Sequence, residues 1–191
     1  MDLELQKIEK HFAEIENYPI QIAIENLKPY IGNLFPHVGT CAIWNNETRI
    51  YIDFDEAENK LELLKNYLPL LEKYLGWLSQ HRKDIVQALI NDEYLERANE
   101  WASSEKLAED EEQECYIMSD RQKVFLPITE EDFSNSLRLE DIWFNCCEVK
   151  HEITLELCFT CSPDYFAYHA LIVYISEDGS IESGGLSELM F

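Results

Sequence analysis

A chain of 191 residues that is 46% hydrophobic and 12% aromatic has the apolar side chains for a core of its own, which excludes an acidic disordered tail. Its 38 acidic residues against 15 basic ones give a formal net charge of −23, and like-signed repulsion over about 8–10 Å excludes free nucleic acid and anionic membranes as partners. A basic protein is what such a surface steers in; residues 91–191 hold 24 acids and 6 bases, whereas residues 1–90 hold 14 and 9.

Residues 2–16 predict a short amphipathic helix, because Leu5, Ile8, Phe12 and Ile15 recur at helical spacing among charged neighbours. The first residues carry no basic segment followed by an apolar run, and no stretch nears the roughly 18–20 residues of a membrane span. A cytoplasmic location is therefore expected. Residues 18–37 alternate at Ile20, Ile22 and Ile24 but are broken up by Pro19, Pro29, Gly32 and Pro36. Val38–Trp44 and Arg49–Phe54 read as a hairpin across Asn45–Thr48, with Ile50 and Ile52 facing the core.

The period then changes. Leu61, Leu64, Leu68, Leu71, Leu75 and Leu78 predict a helix, with a kink or break expected near Tyr67–Pro69. A second helical stretch over about 80–101 follows, making a central pair. Residues 103–114 hold six acids and one lysine and read as a frayed helix end or a loop. Thr129 to Phe133 reads as a capped short helix. Leu137–Val149, Glu152–Thr160 and Tyr168–Ser176 are the predicted strands of the last third, with turns at Asp178-Gly179 and Gly184-Gly185. The expected fold class is α+β: an N-terminal helix, a β-hairpin, a central helical pair and a C-terminal antiparallel β-meander. The expected organisation is one domain over 1–191, with 1–35 a helical extension and 103–123 an acidic loop or frayed helix.

Candidate chemistry is sparse. Cys158 and Cys161 have the spacing of zinc sites and redox dithiols, yet residues i and i+3 of a strand point to opposite faces. Buried thiols are the simpler reading; Cys146 or Cys147 facing Cys158 across neighbouring strands is the alternative. His11, His37, His81, His151 and His169 lack metal-ligand spacing, and His169 reads as a hydrogen-bonded core histidine. Asp53 and Asp55 suit a divalent ion or a helix cap. No nucleophile elbow, phosphate loop or dinucleotide fingerprint occurs, so no catalytic residue, metal or cofactor is expected.

The residues Ile50-Tyr-Ile-Asp53, Trp77, Leu137 to Ile142, Phe166-Ala-Tyr-His169, Ile172-Val173 and Asp178-Gly179 carry a resemblance. Together they resemble an uncharacterised bacterial family of small acidic proteins, some of which act as immunity proteins against polymorphic toxins. The first 35 or so residues lie outside the resemblance. It implies a glycine before the histidine, where Tyr168 stands. The expected function is an acidic immunity or inhibitor protein that is not an enzyme and that neutralises a basic toxin, such as a nuclease, by covering its active or nucleic-acid-binding surface. Its expected partner-binding residues are Glu109, Asp110, Glu111, Glu112, Glu114, Glu130, Glu131 and Asp132. A metal-dependent hydrolase using Asp, Glu and His, and a regulatory or scaffold protein, are the alternatives.

Overall fold

The computed structural model describes residues 20–22, 37–54, 60–108, 115–147 and 152–188. Strand begins with β1 (Ile20–Ile22), β2 (His37–Ile43) and β3 (Asn46–Phe54). Three helices follow: α1 (Lys60–Gln80), α2 (Arg82–Asn91) and α3 (Tyr94–Ser104). Then come β4 (Lys106–Leu107), β5 (Cys115–Ile117), β6 (Lys123–Phe125) and the short helix α4 (Glu130–Ser136). The chain closes with β7 (Leu137–Cys147), β8 (Glu152–Cys161), β9 (His169–Ile175) and β10 (Ile181–Glu188).

Among the described residues, seven strands form one mixed sheet in the order β1-β2-β3-β7-β8-β9-β10, and β4-β5-β6 form a small second sheet. This corrects the expected α+β plan. Strand residues outnumber helical ones, and the C-terminal strands are not a separate meander. They continue the hairpin's sheet through a parallel pairing of β3 with β7, Arg49 opposite Asp141 through Phe54 opposite Cys146. The central pair is three helices, because Glu93 takes a left-handed φ of 66° between α2 and α3. The expected N-terminal helix and most of the extension 1–35 lie outside the described residues. Within 103–123, β4 and β5 stand where a loop or frayed helix is expected.

Local chemistry accounts for other departures. The hairpin turn is the two residues Trp44 and Asn45, both at positive φ (49° and 65°), as the twist of a tight hairpin demands. Pro69 does not interrupt α1. The glycine pair 184–185 is not a turn: it sits inside β10 at a bulge, where Ser183 pairs with Val173 and Gly185 with Ile172. Gly184 is required there, since a Cβ would stand 2.5 Å from Tyr174 Cε2 and 2.8 Å from Ile172 Cγ2.

The core lies between one face of the large sheet and the helices. Ile50 and Ile52 of β3, Ile142 and Phe144 of β7, and Leu155 and Leu157 of β8 join Leu71, Leu78, Ile85 and Leu89 in one apolar cluster. A bulge at Glu140 keeps β7 in phase. Leu139 pairs with Phe159 and Asp141 with Cys158, so the core face passes from Leu137 and Leu139 to Ile142, Phe144 and Cys146. Buried Thr48 donates to the Leu139 carbonyl at 2.9 Å beside that bulge.

Candidate functional site

The short helix α4 starts at a capping box. The Thr129 hydroxyl oxygen accepts from Asp132 N at 3.1 Å, and Asp132 Oδ2 accepts from Thr129 N at 3.1 Å and from the Thr129 hydroxyl at 2.6 Å. These bonds with Thr129 hold the Asp132 carboxyl below its ordinary range. Glu130 and Glu131 fill the same turn, exposed, with their charges toward the positive end of the helix dipole.

The other end of α4 gathers cations. Arg82 at the start of α2 donates to the Ser134 carbonyl at 2.6 Å and the Ser134 hydroxyl at 3.0 Å. Arg138 donates to the Asn135 carbonyl at 2.7 Å. Both satisfy carbonyls that a helix C-terminus leaves unpaired. Two arginines are thus taken up by backbone, and Arg97 lies over the Tyr94 ring at 5.0 Å. Arg49 is paired bidentately with Asp141, at 2.6 and 3.0 Å.

Asn99 joins α3 to this helix. Its Oδ1 accepts from Ile128 N at 2.7 Å, while Nδ2 donates to the Leu95 carbonyl at 2.9 Å and more weakly to the Ile128 carbonyl at 3.4 Å. Ile128 is two residues before Glu130, so the clamp sets the first turn of α4 beside α3. There Glu96 and Glu100 are exposed at i, i+4 spacing, a like-charge arrangement that destabilises a helix by about 0.2–0.5 kcal/mol. Glu96 and Glu100 on α3 and Glu130 and Glu131 on α4 are all exposed, and among the described residues none of them forms an ion pair.

A cleft of about 280 Å³ opens between β6, α4 and the segment after β8. Phe125 stands 47% exposed at it, Asp132 and Asn135 line the α4 side, and Ser162, Pro163 and Tyr165 the other. A polar cluster shapes that second wall. Asp120 Oδ2 accepts from Asp164 N at 3.0 Å and from Gln122 Nε2 at 2.7 Å, and Gln122 Nε2 also donates to the Ser162 hydroxyl at 2.8 Å. Asp164, itself buried, accepts from the backbone of Phe166 at 3.3 Å and of Tyr168 at 2.9 and 3.1 Å. Burial pushes its carboxyl above the ordinary range against those bonds, with Asp120 and Glu105 adding to the rise.

Tyr168, where the family resemblance implies glycine, has φ 65°, in the left-handed region. Its hydroxyl donates to the Ser119 carbonyl at 3.0 Å, a bond glycine would lack. His169 is half-buried; its Nδ1–H donates to the Phe166 carbonyl at 2.7 Å and its ring meets Trp101 edge-on at 5.6 Å. It braces the segment after β8.

Of the expected partner-binding residues, Glu130, Glu131 and Asp132 come together on the first turn of α4, beside the cleft. Glu109, Asp110, Glu111, Glu112 and Glu114 lie outside the described residues. Asp55 and His151 do so as well, and Asp53 is exposed on β3. Cys158 and Cys161 belong to different apolar clusters, Cys158 with Ala170 and Ile172, Cys161 with the main core. The cross-strand cysteine alternative is corrected by the register: Asp141 faces Cys158, and Ile153 faces Cys146. Sequence reasoning missed Asn99, Phe125 and Tyr165, whose roles depend on segments distant along the chain. No helix among the described residues is long and apolar enough to cross a membrane.

No curated protein and no solved structure gives a significant match to the chain. A family model described as an uncharacterized protein conserved in bacteria matches residues 34–186, which leaves out the same N-terminal segment that the sequence resemblance leaves out. The chain belongs to this bacterial family, DUF2262.

Proposed function

We propose that this chain is an acidic immunity protein that binds a basic toxin and neutralises it by occluding the surface with which the toxin grips its target. The observation that carries this reading is the clamp between Asn99 and Ile128. It ties the start of α4 to α3, and both helices carry exposed carboxylates, while Arg82 and Arg138 are drawn to the far end of α4. A net charge of −23 raises the energy of the free protein through self-repulsion, and an oppositely charged surface relieves it. Glu130, Glu131 and Asp132 with Glu96 and Glu100 form the contact, and the run Glu109, Asp110, Glu111, Glu112 and Glu114 adds to the same charge.

Carboxylates occupy the positions that phosphates would take on the toxin, so the toxin's lysines and arginines meet protein in place of nucleic acid. The partner is a basic protein, neither nucleic acid nor membrane, and the encounter takes place in the cytoplasm. Retention of proteins from the bacterial host on the immobilised chain at low salt, followed by co-expression with the retained protein, tests the reading. A basic protein whose growth arrest the chain relieves is the expected result. Retention of neutral or acidic proteins alone, or arrest that co-expression leaves unchanged, contradicts it.

A further inference from the structure

The cleft beside α4 contains a polar group with no visible role in the fold. Tyr165 is 4% exposed, and among the described residues its hydroxyl has no hydrogen-bond partner. It differs from the Tyr74 hydroxyl, which is fully enclosed without a partner, because Tyr165 borders the open cleft. A tyrosine ring packed in the fold usually finds a partner for its hydroxyl, and the Tyr165 hydroxyl, open to the cleft, is free to bond whatever enters it.

The chemistry around it defines that occupant. Asp132 uses Oδ2 for both bonds to Thr129, which leaves Oδ1 without a protein donor. The Asn135 side-chain amide is exposed, since Arg138 takes only its backbone carbonyl. Phe125 and Pro163 supply apolar surface at the mouth. The potential at the floor is negative at neutral pH because of the carboxylates of Asp132 and Asp120, which add to burial in raising the Tyr165 hydroxyl to about 12. Lys123 on the wall is a cation with an interaction of its own, so it does not stand idle in the cleft.

We propose that the cleft is the anchor pocket of the interface and takes an arginine side chain of the partner, with the guanidinium on Asp132 Oδ1 and the Tyr165 hydroxyl and the stem along Phe125 and Pro163. This rests on the reading of the chain as a binder of a basic protein, and it names the side chain that the site selects. Arginine suits the pocket better than lysine: its planar fork serves several acceptors at once and packs flat against an aromatic face. A buried arginine in a water-excluding pocket is also a common anchor of protein interfaces.

The test is titration of the full chain with Nα-acetyl-arginine methylamide, followed through backbone amide signals, with the neutral citrulline analogue as control. Saturable shifts at residues 123–125, 132–136 and 162–165, about tenfold weaker in affinity for citrulline and for Tyr165→Phe, are expected. Tyr165→Phe keeps the buried ring, and Phe125→Ser, at an exposed position, is the second variant and weakens the same titration. No shifts in these segments, equal response to citrulline, or indifference to both variants overturns the pocket. A basic partner that binds Tyr165→Phe as tightly as the parent also overturns it while leaving the immunity reading intact. An arginine response in a chain that retains no basic protein does the reverse.

Discussion

Asn99 and Ile128 stand 29 residues apart in the chain, yet the amide of one brackets the peptide group of the other, with the Ile128 N–H donating to Asn99 Oδ1 at 2.7 Å. This bond ties the residues just before α4 to α3, alongside the apolar core that Ala98, Ile128 and Phe133 share. Replacing Asn99 by alanine leaves the partly buried Ile128 N–H without an acceptor. The expected loss is about 1–3 kcal/mol of unfolding free energy, read by urea denaturation. Exchange of the Ile128 amide hydrogen should accelerate in the same variant.

Thr129 is the cap of α4, and its removal has two readouts. Thr129→Val costs about 1 kcal/mol of stability, in the range for a lost cap. It also removes the hydroxyl bonds that depress the Asp132 carboxyl. A depressed folded-state carboxyl contributes stability above its unfolded value, near 3.8, and loses that contribution as pH falls through the lower folded value. The carboxyl signal of Asp132, followed by NMR, should therefore titrate at lower pH in the parent than in Thr129→Val.

The described cysteines near the core are poor nucleophiles. Burial pushes the Cys41 thiol up to about 11 and those of Cys146, Cys158 and Cys161 up to about 12. Their thiolate fraction at pH 8 is then of order one in a thousand or less. Labelling with a thiol-reactive disulfide, resolved by peptide, should leave these four unmodified in native buffer. They should react fully once urea unfolds the chain.

Tyr168 combines a strained backbone with a useful hydroxyl, and substitutions separate the two. Tyr168→Ala keeps the left-handed backbone and loses the bond to Ser119, whereas Tyr168→Gly relieves the backbone and loses the same bond. The glycine variant should be the more stable of the two by about 1 kcal/mol in thermal or urea unfolding.

Which parts of this molecule could be read from sequence follows from the range of the forces involved. Ile153, Leu155, Leu157 and Phe159 alternate because one face of β8 is buried, and that period is visible in the chain. The Thr129 cap is likewise local, its partner three residues away. The parallel pairing of Arg49 with Asp141 is not local: 92 residues separate them, and no periodicity states which strand lies beside which. The split between α2 and α3 was hidden because it falls at Glu93, a residue that seldom takes a left-handed φ and gives no warning as glycine or proline would. The bulge at Gly184 looks like a turn in sequence because a glycine pair serves both ends, and only Tyr174 and Ile172 pressing on it tell them apart. For the site, the acids of α4 were legible as charge. The cleft beside them was not, since Phe125, Asp132 and Tyr165 meet only after folding.

The account rests on carboxylates of α3 and α4 acting together on a basic partner. Its most direct test is the association rate with the basic protein retained from the host, measured by stopped flow at 20 and 500 mM salt for the parent and for the quadruple variant Glu96→Gln, Glu100→Gln, Glu130→Gln and Glu131→Gln. The parent should associate at least about tenfold more slowly at high salt, and the variant should start slow and respond little. A parent rate that is the same at both salts, or a variant as fast as the parent at low salt, contradicts the account.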